Sequence, residues 1–429
     1  MPSPTRRLLA VATLAAAVVT ATPLTGAVAS PISPTGAPTR TLDTAYLRTA
    51  ADSRMSSKLT ARATSTLFGN AFSGSVIDAT SGRVLWSKNG SLGLMPASTT
   101  KWVTATDALG VFGSGYRFTT RVKLGTQADQ VVLVGSGDPA LSSSQLTTLA
   151  SATASAMKAR GQVKVRVYAD DSLFPAPTLG TGWRSSYIPA DTTWLRALVV
   201  DGRQATDTSI DAATLFAAKL KGYGLTPTVS GRLTASTTAP VLASSAGQTL
   251  SQIVSTMLLW SDNEYAEALH RLVAIQTRYG STWTAARSAQ SAQLANEGLT
   301  ANALYDGSGL SRSDRLTSLQ LAGLATNAFE PGNATKLALL RGNSALPIAG
   351  QTGTLSSSYG RFTTAASKCA VGKVHAKTGT LDDAVALSGW TVGADGRVKG
   401  FAFVVNGKAS SLTLRQNIDM LAATVVGCY

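Results

Sequence analysis

The sequence predicts an α+β protein in which helices flank an antiparallel sheet and one β-rich accessory domain is inserted. Three observations support this prediction. Apolar and polar residues alternate in hairpin patterns near both ends of the chain, at 73–89 and 373–407. Helical periodicity dominates 212–272, whereas short β-like runs fill 118–200. The two terminal hairpins could join one sheet, with the helices packed on it.

The first 29 residues are predicted to be an export signal and not part of the fold. Arg6 and Arg7 precede an apolar run from Leu8 to about Thr20, and 27–29 reads Ala-Val-Ala, a small-residue cleavage site. No later segment offers the ~20 uninterrupted apolar residues of a spanning helix. We therefore expect a secreted, extracytoplasmic protein, associated with the cell envelope and without a stable transmembrane anchor. Paired arginines would also suit twin-arginine export.

The remaining chain is long enough for two domains, because a single compact core rarely organises so many residues. A linker and an N-terminal helical segment are expected at 30–65. The main domain is predicted to combine 66–117 with 201–429, and the accessory domain is predicted at 118–200. The pattern of the last part predicts an amphipathic helix from about Leu412 to Val426.

The chain is basic, with a formal net charge of +15. Loss of the signal would remove two of these charges. The lysines and arginines are scattered, without the basic blocks and interleaved aromatic residues that nucleic-acid binding would favour, so no nucleic-acid partner is predicted. An anionic cell envelope is one expected counterpart of this charge. Plain solubility explains the charge equally well.

Cys369 and Cys428 are the two cysteines of the chain. In an oxidising compartment they could form one bridge that ties the C-terminal helix to the body of the protein. The chain contains two histidines and no C-x-x-C motif, so it has few of the usual ligands of a metal site. No metal and no other cofactor is predicted.

Ser98 and Lys101 lie one helical turn apart in a predicted helix at 97–109. A serine hydroxyl is a weak nucleophile until a base removes its proton, and the chain has no G-x-S-x-G elbow to pair with one of its histidines. Lys101 could act as that base if burial or a second cation lowered its pKa. At the start of a helix, the backbone N–H of Ser98 could also hold an oxyanion.

Two further motifs occur later in the chain, S-x-N at 261–263 and K-T-G at 377–379, which is followed by Thr380. Each motif is weak evidence alone. S-x-x-K recurs at 155–158 and S-x-N at 87–89. Order and local context must therefore distinguish the functional copies.

Ser98, Ser261 and Lys377 alone provide a helix start, an interhelical loop and a strand end in that order. Together they resemble the penicillin-recognising serine enzymes, which carry S-x-x-K, S-D-N and K-T-G. Further segments resemble the class C low-molecular-mass penicillin-binding proteins, over about 65–427. These segments are SGDPAL (136–141), DGSGLSR (306–312), LPIAGQTGTL (346–355) and KTGTL (377–381).

The resemblance implies a β-lactamase/transpeptidase-like fold and a serine DD-peptidase. Such an enzyme acts as a carboxypeptidase on the terminal D-Ala-D-Ala bond of peptidoglycan stem peptides. The same machinery can act as an endopeptidase on peptide cross-links, and β-lactam antibiotics inhibit it covalently. The family usually has a longer insertion between its first two motifs than the 163 positions that separate Ser98 and Ser261 here, so one accessory domain is expected to be reduced or missing.

Residue roles follow from the resemblance. Ser98 would be the acylated nucleophile and Lys101 its base. Ser261 would relay a proton to the leaving amine, and Asn263 would bind the substrate peptide. Lys377 would hold Ser261, place positive charge near the terminal carboxylate, and act as the second cation that lowers the pKa of Lys101.

The rest of the K-T-G-T segment is expected to bind substrate. Thr378 and Thr380 would contact the terminal carboxylate, and Gly379 lies between them. The backbone N–H groups of Ser98 and Thr380 would form the oxyanion hole. A near-copy at 351–355, QTGTL, has glutamine in place of the lysine, so we expect a structural turn and strand there.

Two alternatives use the same residues differently. A serine β-lactamase would share the nucleophile but needs a further base to activate water, and no motif identifies one. A non-catalytic wall-binding protein would have kept only the fold, although the intact Ser98, Lys101, Ser261, Asn263 and Lys377 argue against it. A stable penicillin adduct would indicate the peptidase, and rapid turnover would indicate the lactamase.

Overall fold

The structure is a computed structural model that describes residues 48–299 and 303–429. The predicted export signal and most of the linker lie outside the described residues. Helix α1 (Ala50–Arg62) falls within the N-terminal segment that was expected to be helical. Within the described ranges, every helix is too short or too polar to cross a bilayer.

The strands of the described residues form two separate five-stranded sheets. The first has the order β2-β1-β10-β9-β8 and is antiparallel throughout, and the second has the order β6-β5-β4-β3-β7. The strands are β1 (Ala71–Asp78), β2 (Val84–Lys88), β3 (Arg117–Leu124), β4 (Gln130–Val134), β5 (Lys164–Asp170), β6 (Thr226–Arg232), β7 (Val241–Thr249), β8 (Val374–Leu381), β9 (Ala384–Val392) and β10 (Val398–Asn406).

The helices of the described residues connect and cover these sheets. Most begin with a Ser, Thr or Asp side chain that accepts a hydrogen bond from a backbone N–H of the first turn, as at Thr249 before α6. The helices are α1 (Ala50–Arg62), α2 (Lys101–Phe112), α3 (Ser143–Lys158), α4 (Tyr187–Ala190), α5 (Thr208–Gly222), α6 (Leu250–Trp260), α7 (Asn263–Gln276), α8 (Trp283–Asn296), α9 (Ser318–Asn327), α10 (Ala338–Arg341) and α11 (Leu412–Val426).

The first sheet joins the two ends of the chain, as the hairpin patterns predicted. β1 pairs with β10 along its whole length, from Ala71 opposite Asn406 to Asp78 opposite Lys399. Helices cover both faces, so successive side chains of β10 enter different cores. Phe403 packs with residues of α1 and α11, whereas Val404 packs with residues of α2 and α9. Burial on both faces explains the nearly continuous apolar sequence of β10.

The second sheet is mixed, with β4, β5 and β6 parallel and β3 antiparallel to β4 and β7. Helices α3 and α5 pack on it and share one hydrophobic core. Its last two strands, Thr226–Arg232 and Val241–Thr249, lie beyond residue 200. The division of the chain into domains stays a prediction, and sheet membership leads us to propose 117–249 as the accessory unit.

Cys369 and Cys428 form a disulfide with a Cα–Cα distance of 6.3 Å. The bridge connects the end of α11 to a short 3-10 turn, Lys368–Ala370, that precedes β8. The pairing that the sequence left open is therefore present, and it ties the C-terminal helix to the body next to the K-T-G strand.

Candidate active site

Ser98 lies in a 3-10 turn, Ala97–Thr100, that leads directly into α2. The start of the turn is strained, because Ala97 has a φ of 47°. Two glycines make room for it. A Cβ on Gly309 would lie 1.9 Å from the carbonyl oxygen of Ala97, and one on Gly379 would lie 2.6 Å from that of Pro96. The turn that carries Ser98, called the nucleophile turn below, therefore packs closely between the loop that contains Gly309 and strand β8.

Lys101 is fully buried, and its Nζ lies 3.0 Å from Ser98 Oγ. The same Nζ donates to Asn263 Oδ1 at 2.8 Å and to the carbonyl oxygen of Ser308 at 2.7 Å. Burial lowers the pKa of Lys101 to about 8, although nearby carboxylates, first Asp306, oppose the shift. A substantial fraction of this amine is therefore neutral near pH 8.

Ser261 and Asn263 lie where α6 ends and α7 begins. Ser261 is the C-terminal cap of α6 in the left-handed conformation, with φ 62° and ψ 36°. Asp262 caps α7 by accepting a hydrogen bond from the backbone N–H of Tyr265. The two caps form a sharp corner that directs Asn263 toward Lys101. The Nδ2 of Asn263 donates to the carbonyl oxygen of Asp191 at 2.9 Å, which fixes the amide orientation.

Lys377 lies on β8 and is fully buried. Its Nζ donates to Ser261 Oγ at 2.9 Å and to the carbonyl oxygen of Thr378 at 2.7 Å. Burial, the charge of Lys101 and the charge of Arg361 hold the pKa of Lys377 well below its usual value. Burial is the largest cause of the lowered pKa of Lys101. Repulsion between two cations acts on both of them, so the influence of Lys377 on the pKa of Lys101 stays a prediction.

Hydrogen bonds join all three motifs into one cluster. Lys101 contacts Ser98 and Asn263, and Lys377 contacts Ser261. Asn263 and Ser261 belong to the same corner. The five side chains predicted to be catalytic are therefore gathered around a common site, although they are distant in sequence.

The predicted substrate-binding residues continue β8 past Lys377. The Thr378 hydroxyl lies 2.8 Å from that of Thr354. Gly379 is buried against the nucleophile turn, and Thr380 is exposed. The near-copy at 351–355 contains the predicted turn, but Gly353–Leu355 is a 3-10 helix and not a strand.

The sequence did not reveal the groups that support Lys101 from behind. Glu267 of α7 is buried and accepts from the backbone N–H groups of Gly307 and Ser308, at 3.1 and 2.8 Å. Burial, assisted by the charge of Asp306, raises the pKa of Glu267 to about 8. Asp306 accepts in turn from the backbone N–H of Gly309. The available signal in the sequence was the D-G-S-G-L segment, which begins with Asp306.

Trp183 is hydrogen-bonded to the loop that contains Asp306. Its Nε1 donates to Asp306 Oδ2 at 2.7 Å, and its ring meets that of Trp283 edge to face. His375, two residues before Lys377, stacks on Trp390 with ring centroids 4.1 Å apart. Both aromatic contacts support the walls of the site.

A model of the D-Ala-D-Ala carboxypeptidase 3 (S13) family matches residues 55–206 and 196–425. The carboxypeptidase DacB of Mycolicibacterium smegmatis is 32% identical over 379 residues, 83% of this chain and 80% of that protein. The D-alanyl-D-alanine carboxypeptidase of Actinomadura sp. is 27% identical over 439 residues, 79% of this chain and 78% of that protein. The fold is similar to penicillin binding protein 4 (dacB) from Haemophilus influenzae, with a TM-score of 0.72 at 20% identity over 86% of this chain and 98% of that chain.

The site combines an antiparallel sheet covered by helices, a buried lysine on its edge strand β8, and a serine and second buried lysine at the start of α2. This is the arrangement of a penicillin-recognising serine enzyme. The chain belongs to the D-Ala-D-Ala carboxypeptidase 3 (S13) family. It is a serine-type D-Ala-D-Ala carboxypeptidase, and the prediction of a class C low-molecular-mass penicillin-binding protein is confirmed. The predicted fold class is also confirmed. The β-lactamase and wall-binding alternatives are not favoured.

Proposed function

We propose that Ser98 attacks the carbonyl carbon of the penultimate D-alanine in a stem peptide that ends in D-Ala-D-Ala. The peptide bond breaks, D-alanine leaves, and the acyl-enzyme on Ser98 is then hydrolysed by water. The observation that supports this best is the 3.0 Å distance between Ser98 Oγ and the Nζ of the buried Lys101. A hydroxyl and an amine at this distance can exchange a proton directly.

The surroundings of Lys101 suit a neutral amine that acts as a base. A neutral amine has two N–H bonds and one lone pair. The carbonyl oxygens of Asn263 and Ser308 can only accept, and each accepts a hydrogen bond from one of these two N–H groups. The lone pair is then left for the hydroxyl proton of Ser98. In this state Lys101 removes that proton as Ser98 attacks.

Ser261 and Lys377 serve the leaving group in this proposal. The Ser261 hydroxyl would pass a proton to the departing amine, while Lys377, at 2.9 Å, holds the hydroxyl in place. The carboxylate of the leaving D-alanine would lie near Lys377, Thr378 and Thr380. A negative charge there favours the protonated form of Lys377 and offsets the effect of burial on its pKa.

The oxyanion of the tetrahedral intermediate would be held by the backbone N–H groups of Ser98 and Thr380. Ser98 lies at the start of a helical turn, where backbone N–H groups have no partner within the helix. Gly379 lets β8 approach that turn closely, and Thr380 is the next residue of the strand. Donors fixed in this way stabilise the developing charge without moving during the reaction.

We further propose that the protein works outside the cytoplasm, at the cell envelope, on peptidoglycan stem peptides and cross-links. The predicted export signal supports this setting. β-Lactam antibiotics would acylate Ser98, and water would hydrolyse the resulting acyl-enzyme slowly. These are the activities expected of an S13 family member with an intact Ser98–Lys101 pair.

The test is mass spectrometry of a synthetic stem pentapeptide and a cross-linked peptide dimer after incubation with the protein. Loss of one alanine from the pentapeptide supports the carboxypeptidase, and scission of the dimer supports the endopeptidase. The matched control is Ser98→Ala, which should be folded and inert. Activity retained in that variant would contradict the proposed mechanism.

A further inference from the structure

The near-copy segment 351–355 lies directly beside the true K-T-G-T segment. Upstream of it, the backbone N–H of Ala349 donates to the carbonyl oxygen of Val374 at 2.9 Å. The backbone N–H of Ala376 donates to the carbonyl oxygen of Pro347 at 3.0 Å. These bonds attach the segment to the outer edge of β8, just before Lys377.

The same segment also touches the corner that carries Ser261. Gly353 has a φ of 53°, and a Cβ there would lie 2.5 Å from the carbonyl oxygen of Leu259, two residues before Ser261. A side chain at position 353 would therefore push the two segments apart. The glycine keeps the near-copy packed between the last turn of α6 and strand β8.

The next residue, Thr354, is the one that contacts the substrate-binding strand. Its Oγ1 lies 2.8 Å from Oγ1 of Thr378, and Thr378 is only 7% exposed. Either hydroxyl could be the donor in this bond. If Thr378 gives its single proton to a substrate carboxylate, Thr354 must be the donor to the Thr378 oxygen. Such a bond fixes the Thr378 rotamer and strengthens its donor character.

We propose that Thr354 is a positioning residue for the terminal carboxylate of the substrate and acts through the hydroxyl of Thr378. This inference rests on the proposed function, in which Thr378 binds that carboxylate. The near-copy therefore keeps its second threonine for the carboxylate site, although Gln351 stands where the catalytic motif has lysine. Thr354 makes no contact with the reacting bond in this arrangement.

The experiment compares two thioester substrates that share one acyl-D-alanyl group. One has thioglycolate as its leaving group, with a free carboxylate, and the other has the uncharged thioglycolamide. Acylation rates would be measured for wild type, Thr354→Val, Thr354→Ser and Ser357→Ala. Thr354→Val removes the hydroxyl at nearly constant volume, Thr354→Ser restores it, and Ser357→Ala removes an exposed hydroxyl from the same loop.

Thr354→Val should lower kcat/KM for the carboxylate substrate by roughly 10-fold, the upper end of the usual effect of one hydrogen bond between neutral groups, and leave the uncharged substrate unaffected. Thr354→Ser and Ser357→Ala should resemble wild type. An equal loss on both substrates, or no loss on either, would overturn the inference while leaving the proposed function intact. A wild-type protein that accepts neither substrate would refute the proposed function and the inference with it.

Discussion

The Nζ of Lys101 lies 3.0 Å from Oγ of Ser98, in a position where the lysine is fully buried. Burial is the largest influence on this amine and lowers its pKa to about 8. A lysine in water would be almost entirely protonated at that pH. The distance and the burial together make Lys101 suitable as a base, whereas either feature alone would not.

The first prediction concerns pH. A neutral Lys101 is required for attack, so acylation should slow as the pH falls through about 8 and the amine becomes protonated. Stopped-flow acylation at several pH values should give a rise in kcat/KM with one proton lost near pH 8. A flat profile from pH ~6 to pH ~9 would show that Lys101 is not the base, since a group with this pKa changes charge over that interval.

The second prediction concerns Glu267, whose charge is among those that raise the pKa of Lys101. Glu267→Gln keeps an oxygen that can accept from Gly307 and Ser308 but removes the negative charge of the ionised carboxyl, a form that is partly populated near its pKa of about 8. The inflection of the acylation profile should therefore move to lower pH. Glu297→Gln, at the end of α8 and paired with Lys336, is the matched control and should leave the profile unchanged. An inflection in Glu267→Gln that stays at the wild-type pH would contradict this coupling.

The third prediction tests the close approach of β8 to the nucleophile turn. In Gly379→Ala the new Cβ would lie 2.6 Å from the carbonyl oxygen of Pro96, so the strand and the turn must separate. We expect acylation to slow by about 100-fold, as when an oxyanion donor is lost. Penicillin acylation kinetics would measure the change. Gly222→Ala, where the new methyl group meets no atom within 4 Å, is the control and should acylate at the wild-type rate.

The fourth prediction concerns a buried ion pair behind Lys377. Arg361 and Asp419 have side chains only 4% and 0% exposed, and Asp419 also accepts from the backbone N–H of Phe362. Asp419→Ala should lower the free energy of unfolding by roughly 3–5 kcal/mol, because it leaves the arginine charge buried without a partner. Urea denaturation would measure this loss.

An exposed ion pair gives the control for that experiment. Arg203 is about half exposed in its pair with Asp211, so Asp211→Ala should cost less than about 1 kcal/mol. Equal losses in the two variants would mean that the buried pair adds nothing beyond an ordinary surface contact.

Much of the first sheet and of the site could be predicted from sequence because their signals are local. The alternation around the turn at 80–82 identified β1 and β2, and the i, i+3 spacing placed Ser98 and Lys101 on one helical face. The three motifs were identified by their order. The structure brings their side chains within hydrogen-bond distance of one another.

The features that could not be predicted depend on long-range contacts. Thr226–Arg232 is a polar strand without a buried residue, and it contains Pro227 and Gly231, so its sequence pattern does not predict a strand. The acceptor on Ser308 is a backbone carbonyl, which no residue type encodes. The contact between Thr354 and Thr378 joins the near-copy at 351–355 to the K-T-G-T segment. From sequence alone, the near-copy is only a similar motif that lacks the lysine, and nothing indicates that the two segments touch.

The assignment of Ser98 as the nucleophile is tested most directly by the site at which penicillin acylates the protein. The protein would be incubated with benzylpenicillin, digested with trypsin and mapped by mass spectrometry, alongside a folded Ser98→Ala variant. We expect one adduct per chain, on Ser98, and none in the variant. An adduct on any other residue, or one that persists in Ser98→Ala, would contradict the assignment.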